Sequence, residues 1–153
     1  MSDVFSKAER SEVMSRIRSR GNKATELALA TFFRRHKITG WRRQIVVQSP
    51  RSKVQSQETG SESFRVRPDF VFPKRKLAVF VDGCFWHGCP QHGTRPRNNR
   101  AFWRRKFSRN KKRDALVTRA LRRANWRVVR IWEHELKRNG AARLWRRIRR
   151  HVV

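Results

Sequence analysis

The sequence predicts a single α+β domain in which helices flank a small mixed β-sheet. Its 153 residues suit one domain. Helical and strand-like patterns follow one another in the order α-α-β-β-β-α-β-α, and two of the strands are separated by only four residues. Because no internal repeat divides the chain, we assign residues 1–153 to one domain.

Two N-terminal helices are predicted within residues 6–36. An S-x-x-E capping box and apolar residues at helical spacing predict the first helix over 6–18. After a Gly-Asn break, Asn22 can cap a second helix that ends near His36. Glu26 lies in the first turn of that helix, where a carboxylate suits the helix dipole.

The central segment predicts three strands and a long loop. Trp41–Val47 has the pattern of a strand, and residues 48–63 are rich in Ser and Gln without periodicity, which indicates a flexible insertion. Two further strands, Phe70–Phe72 and Leu77–Val81, should form an antiparallel hairpin because their connection is short.

The second half predicts a loop, a long helix, a strand and a final helix. The loop spans residues 82–99 and is rich in Cys and His. The helix spans about 100–124, with Leu116 and Leu121 on its apolar side. The strand Arg127–Trp132 then leads into a basic helix near residues 140–151.

The charge of the chain points to a polyanionic partner. Forty Lys and Arg against eleven Asp and Glu give a net charge of +29, which opposes a compact state unless a polyanion neutralises part of it. Nucleic acid fits better than a membrane surface, and no segment is apolar enough to span a bilayer. The basic runs 104–113 and 143–150 are candidate phosphate contacts; solvated helix faces are the alternative.

Two carboxylates bracket the predicted hairpin. Asp69 precedes its first strand and Asp82 ends its second, so antiparallel pairing can bring them to one edge of the sheet. Close carboxylates form an oxygen-rich site that suits Mg²⁺. His87 follows five residues later and could act as a general base. Taken singly, both Asp residues could instead be ordinary turn residues.

Cysteine and histidine cluster in the segment 84–99. Cys84, Cys89 and His92 are spaced as zinc ligands, and His134 after the last strand is a candidate fourth ligand. Buried thiols or a disulfide are the alternative. Only two cysteines occur, which argues against a secreted disulfide scaffold and favours a reducing compartment.

Large aromatic side chains adjoin this cluster. Phe85 and Trp86 could be exposed and wedge into a base step, or they could cover the metal and fill a small core. Trp103, next to Arg104 and Arg105, is equally open to a place in the core or on a DNA-facing surface.

In chain order, these residues resemble those of the very-short-patch repair (Vsr-type) DNA mismatch endonucleases over nearly the whole chain. The motifs that carry the resemblance are Ser6-Lys7-Ala8 with Arg10-Ser11 and Met14, Arg67-Pro68-Asp69-Phe70-Val71, Val81-Asp82-Gly83-Cys84-Phe85-Trp86-His87, Phe102-Trp103 with Lys106, Asn110 and Arg113-Asp114, and Trp126-Arg127-Val128 with Trp132-Glu133. The resemblance implies a restriction-endonuclease-like core of the PD-(D/E)xK type. It also implies a Mg²⁺-dependent nick in one strand, 5′ to the T of a T:G mismatch left by deamination of 5-methylcytosine.

The resemblance also implies catalytic roles. Asp69 and the backbone carbonyl of Val81 would bind Mg²⁺, His87 would activate water, and Glu26 would support the metal-bound waters or that histidine. Asp82 stands where the family pattern has a second catalytic histidine, and we expect it to contact the metal directly or through water.

The remaining implied roles are structural zinc binding and DNA contact. The four zinc ligands would be Cys84, Cys89, His92 and His134, the last of which stands where the family has a cysteine. The implied DNA-binding residues are Phe85, Trp86 and Trp103 as the wedge, with Met14, Arg104 and Arg105.

We therefore expect a monomeric DNA-repair enzyme of the bacterial cytoplasm, associated with the nucleoid. Its substrate would be double-stranded, T:G-mismatched DNA, and mismatch-repair proteins would be candidate partners. One alternative is a nicking or restriction-associated nuclease of the same fold with another DNA target. The other is a non-catalytic, zinc-containing nucleic-acid-binding module.

Overall fold

The computed structural model describes residues 23–49, 64–93 and 96–152. The predicted helix over 6–18, which contains Met14, lies outside the described residues, as does nearly all of the insertion at 48–63. None of the described helices is long and apolar enough to cross a membrane.

The described elements confirm a mixed α/β domain, but five strands rather than the predicted three precede the long helix. The helices are α1 (Ala28–Arg35), which a π-helical turn precedes (Lys23–Leu27), α2 (Arg100–Arg123) and α3 (Ala141–Val152). The strands are β1 (Arg42–Arg43), β2 (Val47–Gln48), β3 (Arg65–Val66), β4 (Phe70–Phe72), β5 (Leu77–Asp82) and β6 (Arg127–Trp132). Two 3₁₀ turns, Pro73–Arg75 and Glu133–Leu136, complete the described elements.

The main sheet is mixed, as the sequence predicts. Its strand order is β1-β4-β5-β6. The β4–β5 hairpin is antiparallel, with Phe70 opposite Val79. Strand β6 pairs with β5 in parallel, so that Asp82 lies opposite Trp132 at the carboxyl ends of both strands.

The prediction of a single strand over Trp41–Val47 is wrong, because the segment forms two short strands. Gln44 adopts a left-handed conformation (φ +55°) that interrupts the extended backbone, and its N–H donates to the Asp69 carbonyl (3.3 Å). Strand β1 pairs with β4, whereas β2 pairs with β3 in a separate two-stranded sheet.

The two faces of the main sheet bury different helices. One face packs against α1 and α3 through a fully buried set that consists of Phe33, Phe70, Leu77, Val79, Ile131, Leu144 and Ile148. The other face contacts α2, where Leu121 packs with Val71 and Ala78. Since side chains alternate along a strand, Asp82 shares this second face with Ala78 and Phe80.

Helix α2 presents one continuous stripe to the rest of the protein. Its members recur at spacings of four and three, which places them on one side of a helix; they are Trp103, Phe107, Asn110, Asp114, Val117 and Leu121. Leu116 does not belong to this stripe, and its side chain is 61% exposed. The prediction that Leu116 lies on the apolar side is therefore wrong.

The packing of α2 on the sheet can be tested with two chemically identical substitutions. Leu121 is fully buried, so Leu121→Ala should lower the free energy of unfolding by about 2–5 kcal/mol. Leu116→Ala should change it by less than about 0.5 kcal/mol, because the side chain is exposed and Ala favours helix. Urea unfolding of both variants measures the difference, and equal losses would contradict the observed orientation of α2.

Candidate active site and metal-ligating loop

Asp69 reaches the carboxyl end of β5, as the hairpin predicted. Its Oδ2 accepts a hydrogen bond from the Val81 N–H at 2.7 Å. Burial raises the pKa of Asp69 to about 6, and the nearby carboxylates of Glu26 and Asp82 add to this rise; the Val81 N–H and the Arg130 guanidinium oppose it. Its surroundings disfavour the ionised form of Asp69, and a bound cation would stabilise that form.

Glu26 approaches the same end of the sheet from the turn before α1. Only 5% of the residue is exposed. Its Oε2 accepts hydrogen bonds from Arg43 Nη2 at 2.7 Å and from Gln44 Nε2 at 3.2 Å. Gln44 therefore contacts both acids: its backbone N–H binds the Asp69 carbonyl and its side chain binds Glu26.

His87 is oriented by a carboxylate from α2. Its Nδ1 lies 2.6 Å from Asp114 Oδ2 and 3.7 Å from Asp82 Oδ1. Because an ionised carboxylate can only accept, Nδ1 carries the ring proton and Nε2 is left as the basic nitrogen. No role for Asp114 was predicted from the sequence, although it is the one acid within α2.

Asp82 is held by an arginine from the neighbouring strand. Arg130 Nε lies 2.7 Å from Asp82 Oδ2, and Arg130 Nη2 lies 2.6 Å from Oδ1. The sequence analysis expects Asp82 to contact a metal beside Asp69. In the structure both Asp82 oxygens contact a guanidinium group, and a ligand atom of Asp82 also lies within 4.8 Å of ligand atoms of His87 and Asp114.

The four predicted zinc ligands meet in space. Their ligand atoms all lie within 4.8 Å of one another, with His134 Nδ1 3.3 Å from Cys84 Sγ and 3.6 Å from Cys89 Sγ, and His92 Nδ1 3.9 Å from Cys89 Sγ. Zinc–sulfur and zinc–nitrogen bonds of ordinary length in a tetrahedron place sulfur and nitrogen about 3.5 Å apart. The donor types and spacings therefore fit a tetrahedral metal.

The loop is tied to the protein by further contacts. The Cys84 N–H donates to Glu133 Oε2 at 3.2 Å. Burial raises the pKa of the Cys84 thiol, and neighbouring Cys89 adds to the rise. A metal cation would favour the thiolate instead.

The aromatic side chains form one cluster between the loop and α2. The ring of Phe85 lies 5.1 Å from that of Trp86 and 5.2 Å from that of Trp103. Trp103 is only 7% exposed, so it contacts the cluster from the protein interior, whereas Phe85 and Trp86 are half-buried. Asn110 Nδ2 fixes the loop by donating to the Trp86 carbonyl at 2.8 Å.

The surface beside this cluster is strongly basic. A concave region there is lined by the loop and the first half of α2; its cationic residues are Arg97, Arg100, Arg104, Lys111 and Lys112. Arg104 and Arg105 are exposed, as a phosphate contact requires.

A mixed α/β domain that carries an acidic cluster inside a highly basic chain is typical of the class of proteins that act on nucleic acid. Residues 59–92 match the family described as DNA mismatch endonuclease Vsr. The DNA mismatch endonuclease Vsr of Escherichia coli K12 is 33% identical over 138 residues, which cover 90% of this chain and 77% of that protein. The chain belongs to the Vsr family, and membership implies a restriction-endonuclease-like fold.

Nicking enzymes are also among its relatives. The type II nicking enzyme V.NmeAIP of Neisseria meningitidis serogroup A is 32% identical over 145 residues, covering 94% of this chain and 90% of the relative. V.NaeI of Lentzea aerocolonigenes is 49% identical over 81 residues, 53% of this chain, and the match spans about half (49%) of that relative.

The raised pKa of Asp69 predicts a pH-dependent stability change in Asp69→Asn. A pKa of about 6 in the folded state, against 3.8 as the ordinary value, means that stability falls as pH rises from about 4 to about 6 and stays low above it. Without divalent cations, the variant should be more stable than the wild type by about 3 kcal/mol at pH 8 and by about half of that at pH 5. Urea unfolding at both pH values measures this difference, and equal stability at pH 8 would contradict it.

Proposed function

We propose that this chain is a Mg²⁺-dependent endonuclease that nicks one strand of duplex DNA, 5′ to the T of a T:G mismatch. The observation that carries the proposal is the convergence of Glu26, Asp69, Asp82 and Asp114 near the end of β5, in a chain of net charge +29. The mismatch specificity is proposed from the resemblance and from the name of the Escherichia coli relative.

The residues at Asp69 fit a magnesium ion. Carboxylate and carbonyl oxygens are its preferred ligands. Burial and, to a lesser degree, the neighbouring acids raise the pKa of Asp69, and a bound cation would lower it again. Asp69 and the Val81 carbonyl would hold the ion, and Glu26 would bind its waters. When bound, the ion supplies charge stabilisation at the scissile phosphate and a more acidic water.

His87 is proposed to take the proton of the attacking water. Asp114 holds its Nδ1–H at 2.6 Å, which presents Nε2 as the proton acceptor and stabilises the imidazolium that forms. His87 therefore remains the general-base candidate, whereas Asp82 acts from its ion pair with Arg130 rather than as a second proton carrier.

The basic surface and the aromatic cluster are proposed to hold and open the DNA. Arg104 and Arg105 would bind the phosphate backbone, as would the cations at 143–150. Met14, which lies outside the described residues, is a further proposed DNA contact. Phe85 and Trp86 would insert beside the mismatch, with Trp103 supporting them. A mispaired step unstacks at lower cost, so insertion favours mismatched DNA.

The Cys–His cluster is proposed to bind structural zinc. The bound ion would hold the loop that carries Phe85, Trp86 and His87 to the turn after β6, and so fix the wedge and the base together. A closed tetrahedron of four protein ligands leaves no position for substrate, which is the pattern of a structural site.

We expect about one zinc ion per chain in the purified protein, and its loss in Cys89→Ser. Loss of the metal should also lower the melting temperature, because binding free energy contributes to folding. His151→Gln is the matched control, since His151 lies on α3 away from the cluster and should keep the zinc. Elemental analysis and thermal unfolding measure both effects, and a Cys89→Ser protein with full zinc content would exclude this ligand set.

Nicking of a labelled duplex with one T:G mismatch tests the catalytic proposal. With Mg²⁺, the wild type should cut one strand beside the mismatched T and leave the T:A duplex intact. Asp69→Asn and His87→Ala should each lose at least about 100-fold in rate, because each removes a proposed catalytic group, while DNA binding persists.

The alternatives give different results in the same assay. Equal cutting of matched and mismatched duplexes would favour a nicking enzyme with another target; five of the relatives are named type II nicking enzymes. Tight binding without cutting, unchanged in Asp69→Asn, would instead indicate a zinc-containing binding module.

A further inference from the structure

We propose that Arg130 is a positioning residue for nicking, because its guanidinium group binds Asp82 and Asp114 together and thereby determines which carboxylate orients His87. This inference rests on the proposed function, since it assumes that His87 acts in catalysis. The arrangement concerns Asp82, the position at which this chain departs from the family pattern that it resembles.

The fold presents Arg130 directly to this cluster. Arg130 lies opposite Phe80 in the parallel pairing of β5 and β6, so both side chains project toward α2. The guanidinium carbon lies 4.9 Å from the centre of the Phe80 ring, which supports a planar cation from one side. From there the group reaches Asp82, two residues further along β5.

One guanidinium group connects both carboxylates. Nε and Nη2 bind the two Asp82 oxygens at 2.7 and 2.6 Å, and Nη2 also lies 3.1 Å from Asp114 Oδ1. Asp114 thus uses Oδ1 for Arg130 and Oδ2 for His87. A planar fork with several donors can make these contacts at once, which a point-charge ammonium cannot.

The consequence for His87 follows from the distances. Two carboxylates lie near its Nδ1, Asp114 at 2.6 Å and Asp82 at 3.7 Å. Arg130 engages both Asp82 oxygens, which leaves Asp114 to accept the Nδ1 proton. Without Arg130, the two carboxylates would repel each other, and Asp82 would compete for the same N–H and turn the imidazole.

Stability alone does not account for Arg130. Its Nη1 is buried without a hydrogen-bond partner among the described residues, and an unpaired buried donor is unfavourable. A partly buried ion pair of this kind is often no more stable than an uncharged pair of similar size. A role in orienting His87 explains why the guanidinium is placed here.

The test separates the rate of the chemical step from DNA binding. Single-turnover nicking and the dissociation constant for the mismatched duplex are measured for the wild type, Arg130→Met and Arg130→Lys. Arg130→Met should nick about 10- to 100-fold more slowly, as expected when a supporting contact of a catalytic group is lost, with little change in dissociation constant. Arg130→Lys should recover part of the rate, because it keeps the charge but not the fork.

Two further variants control for charge and folding. Arg127→Met removes an arginine of the same strand whose side chain, among the described residues, donates hydrogen bonds to the backbone oxygens of Arg75 and His151, and it should nick at the wild-type rate. Asp82→Asn combined with Arg130→Met removes both charges of the pair. Because it also removes the carboxylate that would compete for the His87 N–H, this double variant should nick faster than Arg130→Met, whereas a role of Arg130 in phosphate binding alone would leave the two variants equally slow.

The outcomes distinguish this inference from the proposed function. A wild type that does not nick, or a His87→Ala variant at full rate, contradicts the proposed function. If His87→Ala is slow but folded Arg130→Met nicks at the wild-type rate, or the double variant is no faster than Arg130→Met, the positioning role is overturned. Equal losses of DNA binding in Arg130→Met and Arg127→Met would also overturn it, because they would indicate a general phosphate contact.

Discussion

Parallel pairing of β5 with β6 is the constraint on which the candidate site depends. It places the carboxyl ends of two strands that are distant in sequence side by side, with Asp82 opposite Trp132. The loop that begins at residue 83 and the turn Glu133–Leu136 therefore start as neighbours. His134 meets the two cysteines for this reason, and Arg130 meets Asp82 two residues before its own strand ends.

Helix α2 closes the site by combining three kinds of contact on one stripe. Its aromatic end supports the rings of the loop, its polar middle holds the Trp86 carbonyl through Asn110 and His87 through Asp114, and its aliphatic end is anchored by Leu121 on the sheet. Because a helix is rigid over this length, burial of Leu121 also determines the position of Asp114. Core packing and catalytic geometry are thus coupled through one element.

The sequence predicted the elements with strong periodicity and the residues whose chemistry stands out. The hairpin, α2, β6 and the meeting of Cys84, Cys89, His92 and His134 are all present in the structure. The division of the strand predicted at Trp41–Val47 was not predictable, because it depends on a tertiary hydrogen bond from Gln44. The role of Arg130 was not predictable either, because the chain has forty Lys and Arg and only the register of β6 places this one beside Asp82. For Asp114 a signal existed, since one acid stands alone in a basic helix.

The balance of charge connects this architecture with DNA. Partly buried arginines neutralise the acids at the site, as Arg43 does for Glu26 and Arg130 for Asp82 and Asp114, while most other cations among the described residues are exposed. Carboxylates left alone would repel a phosphate, whereas surrounding cations attract the backbone and release its counterions. A polyanion that neutralises the surface also relieves the self-repulsion of the folded chain. The same charge distribution can therefore bring the phosphate backbone to an acidic site that would otherwise exclude it.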